Sequence, residues 1–529
     1  MEEAISKDNE RVLGKDAQRT NILAARVISE TVKTTLGPCG MDKMLVDRAG
    51  RVIITNDGAT ILDEMEIEHP AAKMIVEIAK TQEEEVGDGT TTSVMLAGKL
   101  LENAERLLDK KIHPTVISKG YRLAANKALE LLKELSFEIT DEEDLIKITN
   151  TAMTGKGVEY VREVLSKIIV DAVKIVADGR KLDPENIRIQ KKKGPEIKKS
   201  SLIKGIVLDN GKVNVHMPQR IENARIALVE DSLEIRTPET EARISVSSPE
   251  QLQQFISHED KTLKEKVEKL EKLGANVLIC QRGIDDAIQF YLANAGIYAI
   301  RRVPKSDMAS IAKVTNGKIV SKIEKMVEED LGKSGVVEEI KEGEDNMTYI
   351  TDCEKPGVVT IMVNGGTEHL LDEVERALRD AIGDLSSILG GSRVVAGGGA
   401  IEMELNKKIF EYSNTLGGRE KLAVEEFANA LEFIPVTLAE NAGLDPIDVL
   451  TELKTSHSSG NQNFGLNLFT NKIEDNWAGG IIEPSKIKEQ AISSATEVAI
   501  MVLRIDDIIA ARSNPNSGVN SSNFNGNYD

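Results

Sequence analysis

The run Val86-Gly87-Asp88-Gly89-Thr90-Thr91-Thr92-Ser93 joins two stretches of helical periodicity, and its reading orders the rest of the chain. Upstream, Pro70 opens a helix from residue 71 to about 85, which Gly87 ends. Downstream, Thr90 opens a helix to about residue 108 with Val94, Leu96, Ala97, Leu100 and Leu101 as its apolar stripe. Glycines bring backbone amides close to an anion, and a helix start attracts phosphate through its free N–H groups and dipole. The threonine hydroxyls add donors, and Asp88 offers a hard oxygen ligand for Mg²⁺. The competing reading is an ordinary N-cap by Asp or Thr. Two glycines and three threonines exceed what a cap needs.

Outward from this junction, the first ~140 residues read as mostly helical. Helical spacing runs from Asp16 to Thr35 and stops at Leu36-Gly37-Pro38, and another helix covers 114–135. Residues 50–55 (GRVIIT) read as a short buried strand ending at the turn Asn56-Asp57-Gly58. From about 202 to 352, short β-type runs (GIVLD, ARIALVE, ANVLICQ, YAIRRV, GKIVSKI, MTYITD), with VVTIMV just beyond, alternate with helical stretches, which is α/β patterning. A polar, charged excursion over about 237–273 interrupts it, either a protrusion or a long loop with a surface helix. After about residue 367 the chain is helical again, through 384, 402–413, 421–441 and 485–512. Helical ends around an α/β centre fit one domain built from both termini with the centre inserted. The tail 513–529 is low-complexity and reads as disordered.

The chain has 529 residues, enough for roughly three domains. Aromatics are 3% with one Trp, so the cores must rest on Ala, Val, Ile, Leu and Met. The net charge of −20 and the lack of a basic stripe disfavour a non-specific nucleic-acid binder; Lys191-Lys192-Lys193 and Lys198-Lys199 read as a solvated loop or strand edge. Cys39, Cys280 and Cys353 form no CxxC pair and the six histidines no HExxH, so neither a disulfide framework nor a zinc site is expected. No signal region and no membrane-length apolar run is seen, so a cytoplasmic protein without membrane partners is expected.

Other candidates are weaker alone. Gly332-Lys333-Ser334 lacks the first glycine of a Walker loop, having Val327 there, and reads as an exposed loop. Gly397-Gly398-Gly399 fits either a nucleotide-packing turn or a plain tight turn. Asp57 fits an Asx-turn, and Asp380 a solvated helix face.

Together these segments resemble the group II chaperonins, the thermosome-like family related to the eukaryotic cytosolic chaperonin. The resemblance rests on TLGPCGMDKML at 35–45, TNDGATIL at 55–62, EHPAAKMIVEIAKTQEEEVGDGTTTSVMLAG at 68–98 and MTGKG at 153–157. It continues in TEHLLDEVERALRDA at 367–381, VVAGGGAIEMEL at 394–405 and LRIDDIIAAR at 503–512. It spans nearly the whole chain. The implied fold is multi-domain α and α/β: a helical equatorial ATPase domain (1–140 and 398–512), a small intermediate hinge domain (141–203 and 359–397) and an α/β apical domain (204–358). The excursion at 237–273 then corresponds to a built-in helical lid, with no separate lid protein.

The resemblance also implies function. The expected activity is that of a Mg²⁺-dependent ATPase and chaperone subunit, assembled with copies or paralogues into a stacked double ring that encloses non-native proteins. A client-holding scaffold with little productive ATPase is the alternative. By motif, Gly37 and Pro38 would contact the phosphates, Asp88 would hold Mg²⁺, and Gly89, Thr90, Thr91 and Thr92 would wrap the phosphates. Asp57 and Asp380 would position or activate water, with Asp380 arriving by hinge closure. Thr154 and Lys156 lie in the TGKG loop, where Lys156 would sense the γ-phosphate. Gly398, Asn467, Leu468, Phe469 and Glu483 would line base and ribose, with Lys488 beside them. The chain departs from the family pattern at Cys39, where Lys or Arg is usual, at Asn364, where Arg is common and bears on a domain or subunit contact, and in a tail without Gly-Met repeats.

Overall fold

A computed structural model describes residues 9–46, 48–139, 141–179, 181–194, 196–234, 249–342, 345–353 and 357–511. The chain divides into two compact units, Met1–Glu138 with Arg393–Asp529, and Ile139–Ser392. In chain order the first unit opens with β1 (Asn9–Leu13), α1 (Gly14–Lys33), β2 (Lys43–Val46), β3 (Val52–Thr55), α2 (Gly58–Glu64), α3 (Pro70–Glu85), α4 (Thr90–Asp109) and α5 (Pro114–Leu135).

The second unit follows. It holds α6 (Glu142–Ala152), α7 (Arg162–Val176), β4 (Ile187–Lys193), β5 (Ser201–Ile203), β6 (Gly205–Leu208), β7 (Arg220–Val229) and α8 (Pro249–Leu273). Then come β8 (Val277–Cys280), α9 (Asp286–Asn294), β9 (Tyr298–Ile300), α10 (Lys305–Thr315), β10 (Ile319–Val320), β11 (Gly332–Glu342), β12 (Asp345–Thr351), β13 (Val359–Gly365) and α11 (Glu368–Leu389). The first unit resumes with β14 (Val394–Ala396), α12 (Ala400–Ser413), α13 (Glu420–Leu431), α14 (Phe433–Asn441) and α15 (Pro446–Ser458). It ends with β15 (Phe464–Asn467), β16 (Lys472–Asp475), β17 (Ile482–Pro484), α16 (Ser485–Leu503) and β18 (Asp507–Ala511).

The first unit is built around a large helical core, with a smaller cluster around Leu438, Leu453 and Leu466 beside it. Ala97, Leu100, Leu101 and Ala104 of α4 are buried against residues of α1, α5, α13 and α16. Small residues let the helices approach: a Cβ on Gly98 would stand 2.3 Å from Ser29 Cβ, and one on Gly120 2.4 Å from Ala423 Cβ. Tyr121 is an exception to the aliphatic core, packing edge-on to Phe427 at 5.8 Å and donating to the Leu100 carbonyl at 2.7 Å. Helices α3 and α5 both begin at a His-Pro pair. Proline suits the first helical position, and the preceding His69 and His113 rings accept from Ala71 N and Thr115 N. Antiparallel β1 and β18 join the two ends of the chain, with Asn9 opposite Ala511.

The second unit carries two sheets. A seven-stranded sheet has the order β6-β12-β11-β7-β8-β9, with β10 on β7, and a three-stranded one the order β4-β13-β5. Strands β6, β8 and β9 are buried on both faces, as their unbroken apolar runs require. The lysines 191–193 lie on β4, an edge strand of the small sheet.

Several local expectations change. Residues 52–55 do not form a buried strand: β3 pairs with β2 in a hairpin that leaves Met44, Val46, Val52 and Ile54 exposed. The Gly332-Lys333-Ser334 run is no exposed loop but opens β11, with Ser334 buried and its hydroxyl donating to the Thr351 carbonyl at 2.6 Å. The helix over 421–441 breaks into α13 and α14, because Pro435 has no N–H to return to the preceding turn. The last helix stops at Leu503, and 507–511 form β18. Asn364 is buried within the small sheet's surroundings, donating to the Lys199 carbonyl at 2.6 Å.

Of the excursion at 237–273, positions 237–248 lie outside the described residues, and 249–273 form the single helix α8. Its Leu263, Val267 and Leu270 pack into the core beside the larger sheet. The tail from 512 lies outside the described residues. No helix among the described residues is long and apolar enough to cross a membrane.

Candidate functional site

The junction between α3 and α4 is not a side-chain cap. Gly89 is the N-cap of α4, at φ +81°, and no side chain caps the helix. A Cβ there would stand 2.5 Å from Ile487 Cγ2 and 3.1 Å from Gln82 Nε2, so both backbone conformation and space demand glycine. The Asp88 carboxylate accepts from Gly89 N at 2.7 Å. The start of α4 thus offers backbone N–H groups, the positive end of a 20-residue helix dipole and the hydroxyls of Thr91 and Thr92.

Asp57 caps the short helix α2, as its turn chemistry suggests. Its carboxylate accepts from Thr60 N at 2.8 Å, Thr60 Oγ1 at 2.6 Å and Ala59 N at 3.4 Å. The fold adds what the local sequence does not reveal. Thr90 Oγ1 donates to the same carboxylate at 3.4 Å, and a Cβ on Gly58 would meet Thr91 Oγ1 at 2.5 Å. Asp57 therefore sits on the first turn of α4.

Three further segments of the first unit that the sequence singles out meet one another through Leu438, Leu466 and Leu468. Gly37 is at φ +80°, and a Cβ on it would stand 2.4 Å from Leu438 and 3.8 Å from Leu468. The turn that contains Pro38 closes by Gly40 N donating to Gly37 O at 2.9 Å, with Cys39 a partly buried free thiol. Gly398, at φ +66°, is bound through its carbonyl by Leu466 N at 2.8 Å, which seats the glycine triplet on β15. The Asn467 amide donates to Glu474 at 2.5 Å and accepts from Phe469 N at 2.9 Å, leaving the Phe469 ring exposed.

Lys488 is not a free cation. Its side chain is 9% exposed, and its ammonium lies 2.7 Å from Glu483 Oε2 and 3.0 Å from Glu402 Oε1. Burial works to lower its pKa, but attraction and hydrogen bonds from Glu402 and Glu483 outweigh burial and hold it above the ordinary lysine value.

In the second unit, Lys156 Nζ and Asp380 Oδ2 are 2.5 Å apart, with side chains 17% and 22% exposed. Asp380 is thus no solvated-face residue; it is ion-paired to the TGKG loop 224 positions away. Thr154 Oγ1 donates to Asn150 O at 2.7 Å and accepts from Arg162 at 3.3 Å.

The donor set suits a magnesium nucleotide. Mg²⁺ is usually held by one or two carboxylates with phosphate oxygens and water, and the Asp88 carboxylate beside an uncapped helix start is compatible with such a group. Among the described residues no cluster of three His, Cys, Asp or Glu side chains is placed to hold a metal. Sequence reasoning misses Gln82 and Glu402. Their one signal is a polar residue at a buried helix position: Gln82 follows Ile75, Ile78 and Ala79 on the inner face of α3, and Glu402 lies between Ile401 and Met403.

The TCP-1/cpn60 chaperonin family matches residues 28–513. A thermosome subunit of Pyrococcus horikoshii is 54% identical over 96% of this chain and 93% of its own length. Thermosome subunit alpha of Archaeoglobus fulgidus is 53% identical over 96% and 94%, and a thermosome subunit of Methanocaldococcus jannaschii 52% over 95% and 93%. With the glycine-shaped, uncapped start of α4 and matches across nearly its whole length, the chain belongs to the TCP-1/cpn60 chaperonin family of ATP-using chaperones, as a group II chaperonin subunit.

Proposed function

We propose that the chain is a Mg²⁺-dependent ATPase whose turnover drives a protein-folding cycle. The observation that carries the reading is the start of α4, uncapped by any side chain, with Gly89 left-handed and Asp88 and Asp57 beside it. Gly37, Pro38, Gly89, Thr90, Thr91 and Thr92 bind the phosphates through amides and hydroxyls. Gly398, Asn467, Leu468, Phe469 and Glu483 enclose base and ribose, and Lys488 braces Glu483. When bound through Asp88, Mg²⁺ supplies charge neutralisation at the transferred phosphoryl group.

Asp57 and Asp380 orient the attacking water and accept its proton. Thr154 and Lys156 report the γ-phosphate, Lys156 exchanging its Asp380 partner for the anion. Subunits stack as a double ring of copies or paralogues in the cytoplasm. The larger sheet with α8 serves as client-binding apical domain and built-in lid, the small sheet and its helices as intermediate hinge, and the helical unit as equatorial domain. Phosphate release by the assembled protein, with and without Mg²⁺, tests the enzyme reading. No turnover leaves only a client-holding scaffold.

A further inference from the structure

Gln82 is fully buried at 0% exposure, yet it is polar and lies on the inner face of α3. Its main-chain carbonyl accepts from Val86 N at 3.1 Å and Gly87 N at 3.3 Å, which ends the helix. Its side-chain Nε2 donates to two further carbonyls, Asp88 O at 2.9 Å and Ile487 O at 3.2 Å, the latter 405 positions away. Its Oε1 has no hydrogen-bond partner among the described residues. A buried acceptor without a partner is destabilising, and an apolar residue of the same volume would avoid it. The donors are what this position requires.

Their effect passes through one peptide group. In a trans peptide the C=O and N–H point in opposite directions. With the Asp88 carbonyl bound to Gln82, the Gly89 N–H points away from Gln82, and there it meets Asp88 Oδ1 at 2.7 Å. The same amide also holds the carbonyl of Ile487, the residue before Lys488, whose ammonium binds Glu483. Asn lacks the reach, and an ionised Glu would set oxygen against two carbonyl oxygens.

We infer that Gln82 is a positioning residue of the ATPase, locking the Asp88–Gly89 peptide so that the Asp88 carboxylate is set for Mg²⁺ and tying that loop to the helix bearing Lys488. The inference rests on the nucleotide reading above. Gln82→Met keeps the volume and removes both donors. In the nucleotide-free assembled protein, amide hydrogen exchange over residues 83–92 should then accelerate. In turnover assays the Mg²⁺ concentration for half-maximal rate should rise about 10–100-fold, as for loss of other supporting partners of a metal ligand.

Gln82→Glu is the second variant. Its neutral carboxyl can donate and its ionised form cannot, so its rate relative to the unmodified protein should recover as pH falls. Unchanged exchange and unchanged Mg²⁺ dependence in Gln82→Met would overturn the inference. Failure of both variants to assemble would overturn it too, because the amide would then hold the fold rather than the loop. Asp88→Ala separates the two levels: if it leaves Mg²⁺ dependence unaltered, the nucleotide reading fails; if it alters it while Gln82→Met does not, only the role of Gln82 fails.

Discussion

Lys156 Nζ lies 2.5 Å from Asp380 Oδ2, an ion pair between a glycine-flanked loop and the middle of α11 that holds both groups largely out of water. On the proposed roles, this pairing holds the carboxylate in one orientation until Lys156 is drawn to another anion. Asp380→Ala then slows hydrolysis by about 10²–10⁴-fold, the usual range for removing a general base. ATP binding, read by fluorescent-nucleotide titration, should stay within a few-fold. Equal loss of binding and turnover would remove Asp380 from its proposed role.

Gly89→Ala tests the shape of the phosphate loop. The new methyl would meet Ile487 and Gln82 at a backbone conformation that alanine rarely adopts. The strain is worth about 1–3 kcal/mol. Thermal unfolding should shift down accordingly, and nucleotide affinity should fall, because relief of the clash must move the first turn of α4. Unchanged affinity would mean that the phosphates are bound elsewhere.

Glu404 contributes to the pH dependence of stability. It is buried, with His457 Nδ1 at 2.8 Å and Lys408 and Lys407 at 3.7 and 3.9 Å. Burial pushes its pKa up, but the His457 hydrogen bond and the lysine charges outweigh burial and hold it below the ordinary 4.5. A carboxylate depressed in the folded state contributes stability above its unfolded pKa and loses it as pH falls through the folded value. Thermal stability should therefore decline below about pH 4.5, and Glu404→Gln should flatten that decline. An identical acid limb in the variant would assign the loss to other carboxylates.

The lid reading is tested by removing residues 245–260. ATPase activity should persist, while a client captured in the presence of ATP should become open to protease. Continued protection in the deletion variant would show that enclosure does not depend on this segment.

Helix existence was legible where punctuation was strong. The His-Pro starts of α3 and α5 and the glycines around Asp88 mark ends that the fold keeps within a residue or two. The strands β6, β8 and β9 were legible because full burial imposes unbroken apolar runs. The exposure of β3 is not legible, because apolar side chains on an exposed strand carry the same signal as buried ones. Among the candidate residues, Gly89 and the threonines announce themselves locally. Asp57 and Asp380 do not: each fits an ordinary turn or helix surface, and only the approach of Thr90 or Lys156 distinguishes them. Gln82 was invisible because its partners are main-chain carbonyls, one of them 405 positions distant.

The most direct test of the account is steady-state phosphate release by the purified, assembled protein, measured with Mg²⁺ and again with Mg²⁺ chelated. The account predicts sustained ATP turnover that stops on chelation and returns when Mg²⁺ is restored. No turnover in either condition, or turnover indifferent to chelation, would contradict it.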